Sequence, residues 1–134
     1  MAPPGIGSFD RATRLLEEGR VRLQGRAWTG GGAQITSVQV STDGGAMWGE
    51  ATLEEAMGID GGVGRCYAWQ EWTFDWEATC GEHRLVCRAR DSAGFEQPLE
   101  QRFNLYGVGN NGVATTVVSV IKDFKEGVFS LYAR

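Results

Sequence analysis

A chain of 134 residues, 42% hydrophobic and 22% charged, is long enough to bury an ordinary core as one domain and too apolar to be disordered. Its formal net charge of −4, with no long run of one sign, excludes the basic stripe that nucleic acid or an anionic membrane selects. Cysteine occurs three times, at Cys66, Cys80 and Cys87, and histidine once, at His83. The odd thiol count argues for a reducing compartment or a fold that does not depend on disulfides, and any catalytic set built on imidazole has to use that one ring.

In chain order, MAPPGIGSFDR lacks a basic region followed by an apolar segment, so no signal peptide is expected. No later stretch is long and apolar enough to span a bilayer, and a soluble chain is expected. Residues 8–18, SFDRATRLLEE, predict a short helix: Ser8 can cap it, Phe9, Ala12, Leu15 and Leu16 form a stripe, and Gly19 ends it. From residue 20 the period changes to two. In 20–28 Val21, Leu23 and Ala27 point one way and Arg20, Arg22, Gln24 and Arg26 the other, the pattern of a half-buried strand. Residues 29–34 form a turn, and 35–41 alternate again through Val38 and Val40.

Asp43, Gly44 and Gly45 supply a tight hairpin, because glycine tolerates the positive φ that such turns need. A strand over 46–56 and a glycine-rich loop over 58–65 follow. Segment 66–78 carries Trp69, Trp72 and Trp76 at a helical spacing, but Trp72, Phe74 and Trp76 also alternate. Its aromatic content and flanking glycine loops predict a strand. Residues 83–91 place Leu85, Cys87 and Ala89 inside and Arg84, Val86, Arg88 and Arg90 outside. A turn over 92–98 leads to strands at 101–107 and 113–122, and 123–134 gives no clear pattern. About seven strands with regular turn signals predict an all-β sandwich.

The stretch STDGGAMW at 41–48 resembles the Asp box of sialidase-type propellers. A propeller repeats its blade, and this stretch occurs once. The order of motifs points elsewhere. GRAWTGGG (25–32) precedes ITSVQVSTDGGAMWGEATL (35–53), then YAWQEWTFDW (67–76), GEHRLVCRARDSAGFEQP (81–98) and FNLYGVGNN (103–111). This series, over roughly 20–121, resembles the C-terminal dimerisation domain of the sulfite oxidase family of molybdopterin oxidoreductases, which includes eukaryotic nitrate reductases. The resemblance implies an immunoglobulin-like β-sandwich that forms a homodimer. It accompanies a separate catalytic domain, in cis or in trans, whose own cysteine ligates the molybdenum–molybdopterin group. No cofactor, metal or catalytic residue is then expected in this chain. The fold motif would comprise Trp28, Ser41, Asp43, Gly44, Gly45, Trp48, Trp69, Trp72, Asn104 and Gly107. The chain divides into an extension at 1–19, the domain proper at 20–121 and a tail at 122–134.

Two positions depart from the family pattern. Phe103 stands where a tryptophan commonly precedes the asparagine. After Asn110 and Asn111 the chain reads GVATTVVSV in place of a His or aromatic cluster with an Arg. This segment is therefore not expected to lend side chains to an active site.

Cys80, His83 and Cys87, with Cys66 as a fourth, have ligand types suited to zinc, which needs four converging groups. The alternation of Cys87 with Leu85 and Ala89 favours a buried thiol instead, and a Cys80–Cys87 disulfide stays open. Asp43 is expected to accept backbone N–H groups in its turn rather than to act as an acid. Five tryptophans are too many for one sugar-stacking platform, so several belong to the core. Arg84, Arg88 and Arg90 share a strand face and are the candidate interface with another domain or protomer. The alternative to a dimerisation domain is a free-standing immunoglobulin-like module that binds protein or carbohydrate and has no enzymatic role.

Overall fold

The computed structural model describes residues 1–7, 13–30, 32–54, 69–101, 103, 105 and 111–122. Among them it is all-β. The strands are β1 (Ile6–Gly7), β2 (Thr13–Glu17), β3 (Gly19–Ala27), β4 (Ile35–Ser41), β5 (Gly49–Glu50), β6 (Thr52–Leu53), β7 (Gln70–Ala78), β8 (Gly81–Asp91) and β9 (Thr115–Ile121). They form a six-stranded sheet ordered β1-β2-β9-β8-β4-β5 and a three-stranded sheet ordered β3-β7-β6.

The alternation read from the sequence builds the core. Leu23 on β3 and Trp72 and Trp76 on β7 meet Val38 and Val40 on β4, Leu85 on β8, and Val118 and Val120 on β9 in one cluster that draws on both sheets. Trp72 and Leu23 are 1% exposed and Leu85 and Val118 are fully buried. Most outward positions of β3 and β7 are charged. Arg20 and Arg22 both reach Asp75, and Arg26 reaches Glu71, all across the β3–β7 ladder.

The helix expected over 8–18 is not formed. Residues 8–12 lie outside the described residues, and Thr13–Glu17 is a strand lying parallel to β9, with Leu16 opposite Val120 and buried beside it. Leu15 and Leu16 suit either period. A single helix of that length is marginal in water, whereas the β9 edge offers a ladder of backbone bonds and a core position for Leu16.

The strand expected over 46–56 is broken in two. Gly49–Glu50 pairs with β4 in the larger sheet, and Thr52–Leu53 pairs with β7 in the smaller. Ala51 sits at the crossover, its N–H donating to the Val38 carbonyl. Gly49 allows the passage, since a Cβ there would stand 2.8 Å from the Phe74 ring. Residues 55–68 lie outside the described residues.

Two further differences concern the later strands. Gln101, Phe103 and Leu105, the described part of 101–107, are not in a strand. Val86 keeps its outward register opposite Ser41 but is only 4% exposed. The loop after β4 folds back over this end of β8, with the Gly44 N–H donating to the Arg84 carbonyl.

Candidate interaction surfaces

The loop 42–48 joins β4 to β5 and is longer than a tight hairpin. Its form is held from two residues. Ser41 is 1% exposed; its hydroxyl donates to Asp43 Oδ1 at 2.7 Å and accepts from the Gly45 N–H at 2.8 Å. Asp43 Oδ1 accepts the Ala46 and Met47 N–H groups at 3.0 and 2.9 Å. The Met47 amide, then the Ser41 hydroxyl, hold the Asp43 carboxyl below the usual carboxylate range. Gly44 and Gly45 take φ of +76° and +101°, a region that side chains resist. Trp48 Nε1 closes the loop on the Gly45 carbonyl.

Beside the loop, the three arginines of the β8 face separate in role. Arg88 lies over the Trp48 ring at 4.4 Å, donates Nε to Gln39 Oε1 and pairs with Glu96. Arg90 pairs with the other oxygen of Glu96. The turn after β8 delivers that carboxylate, because Arg90 and Glu96 form a β-bridge. Arg84 is exposed, and its guanidinium has no partner among the described residues.

Adjoining the Arg88–Glu96 pair, a cavity of about 390 Å³ opens between the sheets, lined by Trp28, Trp69, Trp72, Cys87, Asp91 and Phe95, among others. Trp28 and Trp69 stand at its mouth, 52% and 61% exposed, their rings 6.2 Å apart and tilted by 35°. Asp91 is 8% exposed and accepts Thr29 Oγ1 at 2.9 Å and the Ala93 and Phe95 N–H groups at 3.0 Å each. Burial pushes its pKa up, but the Thr29 and backbone bonds outweigh that and hold it below the usual value. Residues 91–95, DSAGF, carry an Asp followed by a small polar residue and a glycine, which is the sequence signal for this turn. Its place beside the cavity has no signal in the sequence.

The remaining candidates are not brought together. Cys80 is exposed and Cys87 half-buried, and both are free thiols. The His83 ring bonds the Thr79 carbonyl through Nε2 at 2.7 Å and meets the Trp76 ring edge-on. Among the described residues no three His, Cys, Asp or Glu side chains converge as a metal-ligand set. Cys66, Asn104 and Gly107 lie outside the described residues. No described helix is long and apolar enough to cross a membrane.

Comparison with known proteins bears on these surfaces. Residues 9–120 match the family described as the Mo-co oxidoreductase dimerisation domain. Sulfite oxidase of Gallus gallus is 39% identical over 101 residues, covering 73% of this chain and 21% of that protein. Mitochondrial sulfite oxidase of Mus musculus is 33% identical over 111 residues, 80% of this chain and 20% of the relative. The NADH nitrate reductase of Ulva prolifera is 30% identical, over 81% of this chain and 13% of the relative. The crystal structure of the sulfane dehydrogenase SoxCD from Paracoccus pantotrophus superimposes with a TM-score of 0.61 at 29% identity, covering 78% of this chain and 28% of that one. The chain thus spans about a fifth of the length of the sulfite oxidases it matches.

Proposed function

Because this chain belongs to the Mo-co oxidoreductase dimerisation domain family, we propose that it joins two copies of a sulfite oxidase-like molybdenum oxidoreductase. The domain that holds the metal is contributed by another part of the polypeptide or by a separate chain. The observation that carries this reading is the family match over residues 9–120, nearly the whole sequence. Two-fold pairing is the default symmetry for such a contact.

The strand order supports an immunoglobulin-like sandwich within this reading. In that fold the second, fifth and fourth strands share one sheet and the third, sixth and seventh the other. The orders β3-β7-β6 and β9-β8-β4 correspond to that arrangement, with β2 added beside β9.

The described residues do not fit a molybdenum–pterin group. Cys87 is the one thiol on the cavity, but a phosphate-bearing cofactor needs unspent cations. The arginines there, Arg26 and Arg88, are already paired with Glu71 and Glu96, and Asp91 adds another carboxylate. The chain's role in this reading is therefore placement of a catalytic partner.

Light scattering on the purified chain, with antibody capture from the source cells, tests the reading. The expected results are a mass of twice 14.6 kDa and captured material that contains molybdenum. A monomer at micromolar concentration, captured without molybdenum, overturns it. That outcome would favour a second reading, a free-standing protein- or carbohydrate-binding module. The exposed Trp28 and Trp69 at the cavity mouth support that alternative, since flat aromatic faces enrich binding surfaces. Quenching of tryptophan fluorescence by an oligosaccharide would identify it.

A further inference from the structure

Resting on the dimeric reading, we infer that the second copy docks on the outer face of β2, β9 and β8, on a two-fold axis that passes between Glu82 and Arg84. Those two side chains lie two apart on one strand, share its outward face and are both exposed. Neither has an ion-pair partner among the described residues. Among the described arginines Arg84 is singular: Arg20, Arg22, Arg26, Arg88 and Arg90 each hold a carboxylate, and Arg14 donates to the Pro4 and Gly5 carbonyls.

The pairing register makes the face self-complementary. Arg84 stands opposite Val117 and Glu82 opposite Ser119, and Val117 and Ser119 stand beside Thr13 and Leu15. An axis in the plane of the contact, crossing β8 at His83, turns the second copy end for end. Each Arg84 then meets the partner's Glu82, twice over by symmetry. Val117 lies over the partner's Ser119, and Thr13 over the partner's Leu15. These four positions are half-buried and uncharged, as the middle of an interface requires.

The opposite outer face, on β3 and β7, does not suit a second copy. Its Arg20, Arg22 and Arg26 are neutralised within the chain by Asp75 and Glu71 and stay solvated. Area sets the extent of the contact. Three strands about 4.8 Å apart and at most about seven residues long give roughly 330 Å² of flat sheet. A stable pair needs about 800 Å² from each partner, so the proposed contact extends beyond the strands onto the adjoining loop, whose Gly44 bonds the Arg84 carbonyl and whose Met47 is 75% exposed.

Charge exchange on the full chain tests the assignment by sedimentation. Arg84→Glu and Glu82→Arg are each expected to weaken the dimer at least about tenfold by setting like charges against each other. The double variant is expected to return it to within about threefold of wild type. Thermal melts verify that each variant folds. Dimerisation of the wild-type chain is expected to weaken as salt rises, an independent reading that needs no substitution. If the wild-type chain dimerises but both single variants dimerise as well as it does, or the double variant fails to recover, the face assignment is wrong and the dimeric reading stands. If the wild-type chain is a monomer, the dimeric reading falls and the assignment with it.

Discussion

Gly25 on β3 stands directly opposite Trp72 on β7, and a Cβ at Gly25 would lie 2.5 Å from Trp72 Cζ2. The glycine is there because the indole occupies the place of its side chain. Trp72 is 1% exposed and central to the core, so the ring cannot withdraw into solvent. Gly25→Ala is expected to destabilise the fold by about 1–3 kcal/mol, the usual cost of overpacking. Urea unfolding checks it: the midpoint should fall with the slope unchanged. Adding Trp72→Phe should recover part of the loss, because the smaller ring clears the methyl. Fully additive losses would show that the two residues do not share this space.

Ser41 is the buried hinge of the loop 42–48. Its hydroxyl both donates to Asp43 and accepts from Gly45. Ser41→Ala leaves the half-buried Gly45 N–H without its acceptor and is expected to cost about 1 kcal/mol. Amide hydrogen exchange should show faster exchange at Gly45, Ala46 and Met47 than at Val38 and Val40. Uniform acceleration across β4 would mean that the hydroxyl supports the strand rather than the loop.

Asp75 links stability to acid. Arg22, then Arg20, hold its carboxyl down to about 2 from an ordinary 3.8. A pKa lowered in the folded state contributes stability above the unfolded value and loses it as pH falls through the folded one. The contribution is therefore present at neutral pH and fades between about pH 4 and pH 2. The Tm of the Asp75→Asn variant should fall less steeply than that of wild type across this window, and the two should converge at its acid end. Because the pair is exposed, about 0.5 M salt should shrink the difference at neutral pH.

The all-β character was legible because its strands alternate locally. Residues 35–41 alternate over the bounds that β4 has, and Trp72, Phe74 and Trp76 follow the strand period rather than the helical one because β3 presents a matching ladder. The helix over 8–18 failed for a physical reason: Leu15 and Leu16 satisfy two periods, and the deciding partner, β9, lies nearly the whole chain away. The break at Ala51 was illegible in the same way, since it depends on which sheet claims each side of one residue. Among the surfaces, the bonds of Asp43 and Ser41 lie within one short stretch and leave a local trace. The meeting of Glu96 with Arg88 and Arg90, and the solitude of Arg84, are tertiary facts. The run of arginines on one strand face announced a shared surface, but only packing distinguishes the two that are spent from the one that is not.

The parallel ladder between β2 and β9 bears on how the chain assembles. Thr13 pairs with Val117 and Glu17 with Ile121, so on the ribosome β2 has only the two-residue β1 beside it until β9 has emerged. Closing so long a loop costs entropy before any bond rewards it. The sheet is therefore completed late, and the same pairing that finishes it also creates the surface on which Thr13, Leu15, Val117 and Ser119 lie side by side. If the second copy docks on that surface, a nascent chain that still lacks β9 does not yet present it.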